Sequence, residues 1–441
     1  MSRPPDPPLP PRAPAPVHVV QVLSGAHGTP VAYGAQAAPS VPGVPGTGPR
    51  RRAGTAGAEV PCATTGAHVR SLTEGLVAHG LRVTVCAPYG SEQAYGFTAA
   101  GARLTEVGHP PVSPAAPPVP GAVPAFASLP GPLHTDTDTV RALRRICADA
   151  DVVHAHGPHA GLLAALALGS RRRHVPLVVT WHTRAHAHGA HRGVARLLER
   201  RVARAAGVVL GATTDLVDLA RRRGARDARL APVALPFPEP RPDAYPPPLD
   251  PDAAAKVRAE IGAVDRPLVL AVGRLEPLQG HTTALTAARA WRDLEPPPLL
   301  AIAGEGPHRA ALQARIEAED LPVRLLGRRD DAFELLAAAD VALVPARWEA
   351  RSLVAQEALR AGVPLVATAV GGLPELVGDA GLLVPYADPE ALAGAVTALL
   401  RDPDRRAALA AAGRARAACL PTVDDTVAHV LSVYDELVTA D

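Results

Sequence analysis

The sequence predicts an α/β protein made of two doubly wound domains, each a parallel sheet covered by helices on both faces. Three observations carry that expectation. Short valine- and leucine-rich runs alternate with stretches of helical periodicity along most of the chain, the order that a parallel sheet with crossover helices needs. The 441 residues are too many for one core. The alternation breaks near the middle, at the proline-dense run PFPEPRPDAYPPPLD (236–250), which reads as the edge of an interdomain linker.

The first domain is expected over 17–240. Before it, residues 1–16 (MSRPPDPPLPPRAPAP) form a proline-rich, disordered tail with no apolar stretch long enough for a signal peptide. The run 17–23 (VHVVQVL) is the opening strand. Residues 24–60, dominated by Gly, Pro and Ala without periodicity, read as a flexible insertion. A helix over 66–79 and a strand over 81–87 follow, then a proline-rich loop at 110–133. Beyond it the pattern is regular: helix 139–148 with Asp138 as N-cap, strand 151–155, helix 161–168, strand 176–180, helix 193–206, strand 208–211 and helix 214–223.

A linker over 241–265 leads to the second domain, 266–421, with strands at 267–272, 299–303, 323–326, 341–345, 364–368 and 381–384. A helix over 423–439 closes the chain within the segment 422–441.

Composition narrows the function. The formal net charge of +2 and an aromatic content of 3% give no case for nucleic acid. No segment has the apolar length to span a bilayer. The four cysteines, Cys62, Cys86, Cys147 and Cys419, are too widely spaced for a zinc site or a disulfide framework, which suits a reducing cytoplasm. Lys256 is the only lysine, so arginine carries nearly all the positive charge.

The stretch 341–377 (VALVPARWEARSLVAQEALRAGVPLVATAVGGLPELV) has the densest positional meaning. A buried strand leads to a polar turn holding Glu349. Ser352 is placed to cap a helix that carries Glu357 and stops at Gly362, so the amides of Leu353 and Val354 point beyond the strand end. Such a helix start suits a phosphate. The Gly371-Gly372 turn, followed by Pro374 and Glu375, aims a second helix start at the same crevice.

An acid, seven residues, a second acid, a helix ending in Ala-Gly, an apolar strand and Gly-Gly-x-Pro-Glu together resemble the donor-site signature of retaining glycosyltransferase family four. The resemblance implies the GT-B fold: two Rossmann-like domains facing a central cleft, with a C-terminal helix crossing back onto the first. It also implies a nucleotide-diphosphate sugar as donor and no metal or other cofactor.

By that resemblance the turn VGRLEPLQG (272–280) supplies Gly273 and Arg274, with Arg274 clamping the diphosphate and Gln279 standing where the family has a second cation. Leu326 and Arg328 lie where the family's backbone meets the nucleobase. Glu349 would hold the donor sugar's hydroxyls and Glu357 the ribose, with Ser352, Leu353 and Val354 at the diphosphate. His182, in Val-Thr-Trp-His-Thr, resembles the family's strand-end histidine near the reacting sugar. The catalytic expectation is therefore His182, Arg274 and Glu349, with His68 and His156 on the acceptor side.

The sequence departs from the family pattern at Ala63-Thr64, Ala234-Leu235, Gln279 and Ala350-Arg351-Ser352. Arg351 is a candidate to replace the charge missing at Gln279. The departures leave open a degenerate, non-catalytic GT-B protein that binds nucleotide sugar or a partner; an epimerase of the same fold is a further alternative. His182, His186, His188 and His191 also form a possible metal set, although Gly189 interrupts it. Arg192, Arg196, Arg200 and Arg204 recur every four residues on one helix, either as a solvated face or as a contact with anionic lipid on the inner face of the cell membrane. The acceptor is open: a sugar, a lipid-linked molecule or a small molecule.

Overall fold

The computed structural model describes residues 16–24, 63–108, 137–169, 175–184, 190–231, 233–234 and 250–439. The insertion expected at 24–60 and the proline-rich loop at 110–133 lie almost entirely outside them. Residues 1–15 of the expected N-terminal tail lie outside as well, as does most of the run at 236–250.

The first sheet contains β1 (His18–Leu23), β2 (Arg82–Pro88), β3 (Arg103–Val107), β4 (Val152–His156), β5 (Leu177–Trp181), β6 (Val208–Gly211) and β7 (Ala228–Leu230). They lie in the order β3-β2-β1-β4-β5-β6-β7 and every pairing is parallel. The second sheet contains β8 (Leu268–Val272), β9 (Leu299–Ala303), β10 (Val323–Gly327), β11 (Val341–Val344), β12 (Leu365–Thr368) and β13 (Leu382–Val384), in the order β10-β9-β8-β11-β12-β13, again all parallel. Central strands such as β1, β4 and β5 are buried along their whole length, because helices cover both faces. That is why they read as mainly apolar runs, in which His18, Gln21, His154, His156 and Thr180 are buried polar exceptions.

The helix Val423–Val438 returns to the first domain and packs against the helix Ala63–Ala78. Its Val427, Val430, Val433 and Tyr434 are buried in one cluster with Val19, Val69 and Leu72. At about 1.5–3 kcal/mol per buried valine, this face fixes the chain end to the first sheet. Thr422 caps the helix in a reciprocal capping box with Asp425.

Some elements differ from expectation. The edge strands β3 and β7 were not expected: RLTEV is half polar, and three residues of ARL carry too little pattern. The helix Pro251–Glu260, within the stretch read as linker, starts with Pro251 behind an Asp250 side chain that accepts from the Asp252 amide at 3.4 Å. Asp138 lies inside the first turn of the helix Thr137–Ile146 and is not its cap, because the helix begins earlier.

Candidate active site

Strand order in the second sheet reverses between β8 and β11, which opens a crevice at their carboxyl ends. The turn after β8 carries Gly273, Arg274 and Gln279, and the loop after β11 carries Glu349. They touch. The Arg347 amide donates to the Leu278 carbonyl at 2.8 Å, and Gln279 Nε2 donates to Glu349 Oε1 at 3.3 Å. Gly280, at φ 72°, allows this approach, since a Cβ there would overlap the Pro345 carbonyl. Gly371, at φ 56°, presses in the same way on the carbonyl of Glu349.

Burial raises the Glu349 carboxyl above its usual range, and the Gln279 hydrogen bond offsets part of that. Arg274 pairs with Glu276, and its carbonyl accepts from His281 Nε2 at 3.1 Å. Ser352 Oγ accepts from the Ala355 amide at 3.3 Å, so it caps the helix Leu353–Ala361 as the sequence predicts. Glu357 lies one turn into that helix and pairs with Arg360 at 3.4 Å. Leu326 is half-buried in β10, and Arg328, just beyond, is exposed and pairs with Asp330 at 3.4 Å.

Arg351, weighed for the charge missing at Gln279, is half-buried. The charges acting on it are Glu375, Arg416 and Arg360, its Nε and Nη2 are buried without hydrogen-bond partners, and burial lowers its pKa. None of its described contacts reaches Gln279.

The first sheet reverses between β1 and β4. His156 ends β4, His182 follows β5, and His68 projects from the helix Ala63–Ala78, which also contains the Ala63-Thr64 pair. The rings of His156 and His182 stack with centroids 5.4 Å apart, and His68 meets His182 edge-on at 5.1 Å. Burial lowers the His68 pKa from 6.5 to about 4, and burial with neighbouring imidazoles holds His156 and His182 well below their ordinary value. Burial therefore disfavours the charged form of all three.

Nitrogens of these three rings lie within 4.8 Å of one another, close enough to suggest a metal set. Yet His156 uses Nε2 on Gln21 Oε1 at 2.6 Å and Nδ1 on His182 Nε2 at 3.1 Å, so a metal would have to break a bond already made. Of the loop histidines weighed from sequence, His186 and His188 lie outside the described residues and nothing is described of the His191 side chain.

The two domains meet beside Glu349. Trp348 Nε1 donates to Asp215 Oδ2 at 2.8 Å, Arg184 lies 5.7 Å from the centre of the Trp348 ring, and the Thr214 amide donates to Glu375 at 3.2 Å. Trp348 and Ala350 are buried within the first domain's core. The loop that carries Glu349 thus closes on the domain that carries the histidines. Sequence reasoning missed Trp348, Asp215 and Gln21, whose roles depend on pairings that no local pattern encodes. A cavity of about 440 Å³ lined by Arg258, Asp340 and Arg406 lies instead at the amino ends of the second sheet, away from these groups.

Two parallel-sheet domains joined across such a cleft, with the last helix returned to the first, define the GT-B class of glycosyltransferases. Solved structures agree on the fold. Sucrose-phosphate synthase of Thermosynechococcus elongatus aligns with TM-score 0.64 at 23% identity, covering 85% of this chain and 93% of its own. Anabaena Alr3699/HepE in complex with UDP gives 0.66 at 17%, covering 95% and 100%. Residues 254–416 match the family described as Glycosyl transferases group 1, and 64–236 the Glycosyl transferase 4-like domain. A D-inositol 3-phosphate glycosyltransferase of Salinispora arenicola is 36% identical over 320 residues, 66% of this chain and 69% of the relative. A GDP-mannose-dependent alpha-(1-6)-phosphatidylinositol monomannoside mannosyltransferase of Mycolicibacterium smegmatis is 39% identical over 180 residues, 37% of this chain and 47% of the relative. The chain belongs to the group 1 glycosyl transferases, family four: it is a retaining glycosyltransferase that takes its sugar from a nucleotide-sugar donor.

Proposed function

We propose that the enzyme transfers a hexose from a nucleoside-diphosphate sugar to a hydroxyl of an inositol phosphate or an inositol-phosphate lipid. The observation that carries the reading is the facing of two switch-point crevices. Arg274, Gln279 and Glu349 stand on one side, and His68, His156 and His182 on the other. Arg274 and the amides at the start of the helix Leu353–Ala361 stabilise the departing diphosphate as the bond to the anomeric carbon breaks. The acceptor oxygen attacks from the same face, and its proton passes to the diphosphate oxygen that leaves. Glu349 holds the sugar hydroxyls, Glu357 the ribose, and Leu326 to Arg328 flank the base. His182 orients the acceptor. The inositol assignment is supported by what the two relatives' names share.

The test is a panel of UDP- and GDP-sugars with inositol phosphate or a phosphoinositide lipid, read as release of nucleoside diphosphate and as a retained anomeric product. Release of nucleoside diphosphate that neither inositol acceptor accelerates would overturn the inositol assignment.

The missing second cation gives a separate prediction. Gln279→Lys is expected to strengthen donor affinity by about tenfold, since a hydrogen bond to a charged group contributes about 1.5–3 kcal/mol and a neutral one about 1. Calorimetric titration of wild type and variant checks it, and unchanged affinity would mean that the diphosphate does not reach residue 279.

Among the described residues no helix is long and apolar enough to cross a membrane. On the helix Ala190–Ala205, however, Arg192, Arg196, Arg200 and Arg204 are all exposed, and Leu197 is 66% exposed beside them. This pairing of charge with bare apolar surface supports a lipid-borne acceptor at an anionic surface. Exchanging the four arginines for glutamine is expected to abolish co-sedimentation with anionic vesicles while sparing turnover of a soluble acceptor. Equal sedimentation of both proteins would remove the membrane role.

A further inference from the structure

The histidines of the first domain are joined to the end of the chain by hydrogen bonds whose direction the chemistry fixes. Gln21 in β1 is fully buried between them. His156 Nε2 lies 2.6 Å from Gln21 Oε1, a distance that suits N–H to oxygen and is short for two nitrogens. His156 therefore carries its proton on Nε2. The amide nitrogen of Gln21 donates to the Tyr434 hydroxyl at 3.2 Å. Tyr434, having accepted there, must place its own proton on His154 Nδ1 at 2.6 Å, the other partner described for it. His154 Nε2 then donates to Thr180 Oγ1 at 2.6 Å.

At the other end of the chain, His156 Nδ1 has no proton, so the 3.1 Å contact requires His182 Nε2 to donate. That leaves His182 Nδ1 as the unprotonated atom. The reverse arrangement needs the Gln21 amide turned over, which would put two nitrogens 2.6 Å apart at His156 and make the Tyr434 hydroxyl a donor to Gln21. Every bond would reverse together.

We propose that Tyr434, on the closing helix, sets the tautomer of His182 through Gln21 and His156, and so is a positioning residue for the acceptor-side histidine. This rests on the placement of His182 at the reacting centre proposed above. The tyrosine comes from the last helix of the chain and its hydroxyl enters a network built on β1, β4 and β5. It thereby ties the crossing helix to the protonation pattern of the cleft as well as to its packing. Removing the hydroxyl leaves the Gln21 amide nitrogen without an acceptor and frees the amide to turn. Both His182 tautomers then become populated.

The experiment is nitrogen NMR of full-length protein labelled with ¹⁵N-histidine, with the His182 signals assigned through His182→Gln. Wild type is expected to show His182 protonated on Nε2. Tyr434→Phe is expected to give a mixture, with turnover of donor falling about tenfold where the competent tautomer drops to about a tenth, and with donor KM unchanged. Gln21→Leu, read in the same way, cuts the link from the first-domain side and serves where Tyr434→Phe does not fold. An unchanged His182 pattern in a folded variant, or a wild-type proton on Nδ1, overturns the proposal. A changed pattern with unchanged turnover supports the wiring and instead removes His182 from the reacting centre, so the two readings fail separately.

Discussion

Arg274→Ala is expected to cut release of nucleoside diphosphate by about 10²–10³-fold, the usual loss when one preorganised group facing developing charge is removed. The size follows from how little else is there. Between Gly273 and Gly280, Arg274 is the only cation, because Gln279 is neutral and is spent on Glu349. No described contact joins Arg351 to this turn, and the charges that act on it are Glu375, Arg416 and Arg360. Arg274 now pairs with Glu276, an exchangeable, partly exposed contact that a doubly charged diphosphate outcompetes. Arg274→Lys should recover part of the rate by restoring charge without the two-pronged geometry. Initial rates at saturating donor measure this. A loss under threefold for the alanine variant would mean that the leaving group is stabilised elsewhere.

The second large effect is on stability. The protein is expected to lose stability steeply as pH falls from about 6.5 toward 4. Burial lowers His68 from 6.5 to about 4 and His154 from 6.5 to about 3, and it holds His156 and His182 well below the ordinary value. In this window the unfolded chain binds protons that the folded chain refuses, so stability rises with pH and falls on acidification. His68 alone accounts for about 3 kcal/mol, from its shift at about 1.4 kcal/mol per pH unit. Glu349 acts oppositely, because its raised pKa favours the folded state at low pH, but it is one carboxyl against four imidazoles. Thermal melts across the range read the slope, and His154→Gln should flatten it. A melting temperature that stays level from pH 6.5 to 4.5 would show that the four rings are not held neutral.

Both β8 and β11, and the Ser352 cap between Glu349 and Glu357, were legible from sequence, because burial on both faces and helix capping are local demands. So was the turn of Arg274. The contact between Gln279 and Glu349 was not, since two turns separated by 70 residues meet only through strand order. The surroundings of Arg351 are hidden for a related reason. A charge in the right loop says nothing of which other charges the fold brings near it, and here they are Glu375, Arg416 and Arg360. Gln21 and Tyr434 gave no signal at all, because each looks like an ordinary residue of an apolar segment until the last helix is laid on the first sheet.

Trp348 immediately precedes Glu349 and is clasped by Asp215 and Arg184 from the opposite lobe. Any hinge-like parting of the lobes must therefore pull on the peptide that presents the glutamate. On the role proposed for Glu349, spreading of the lobes to admit a substrate and slackening of the hold on the sugar are one movement.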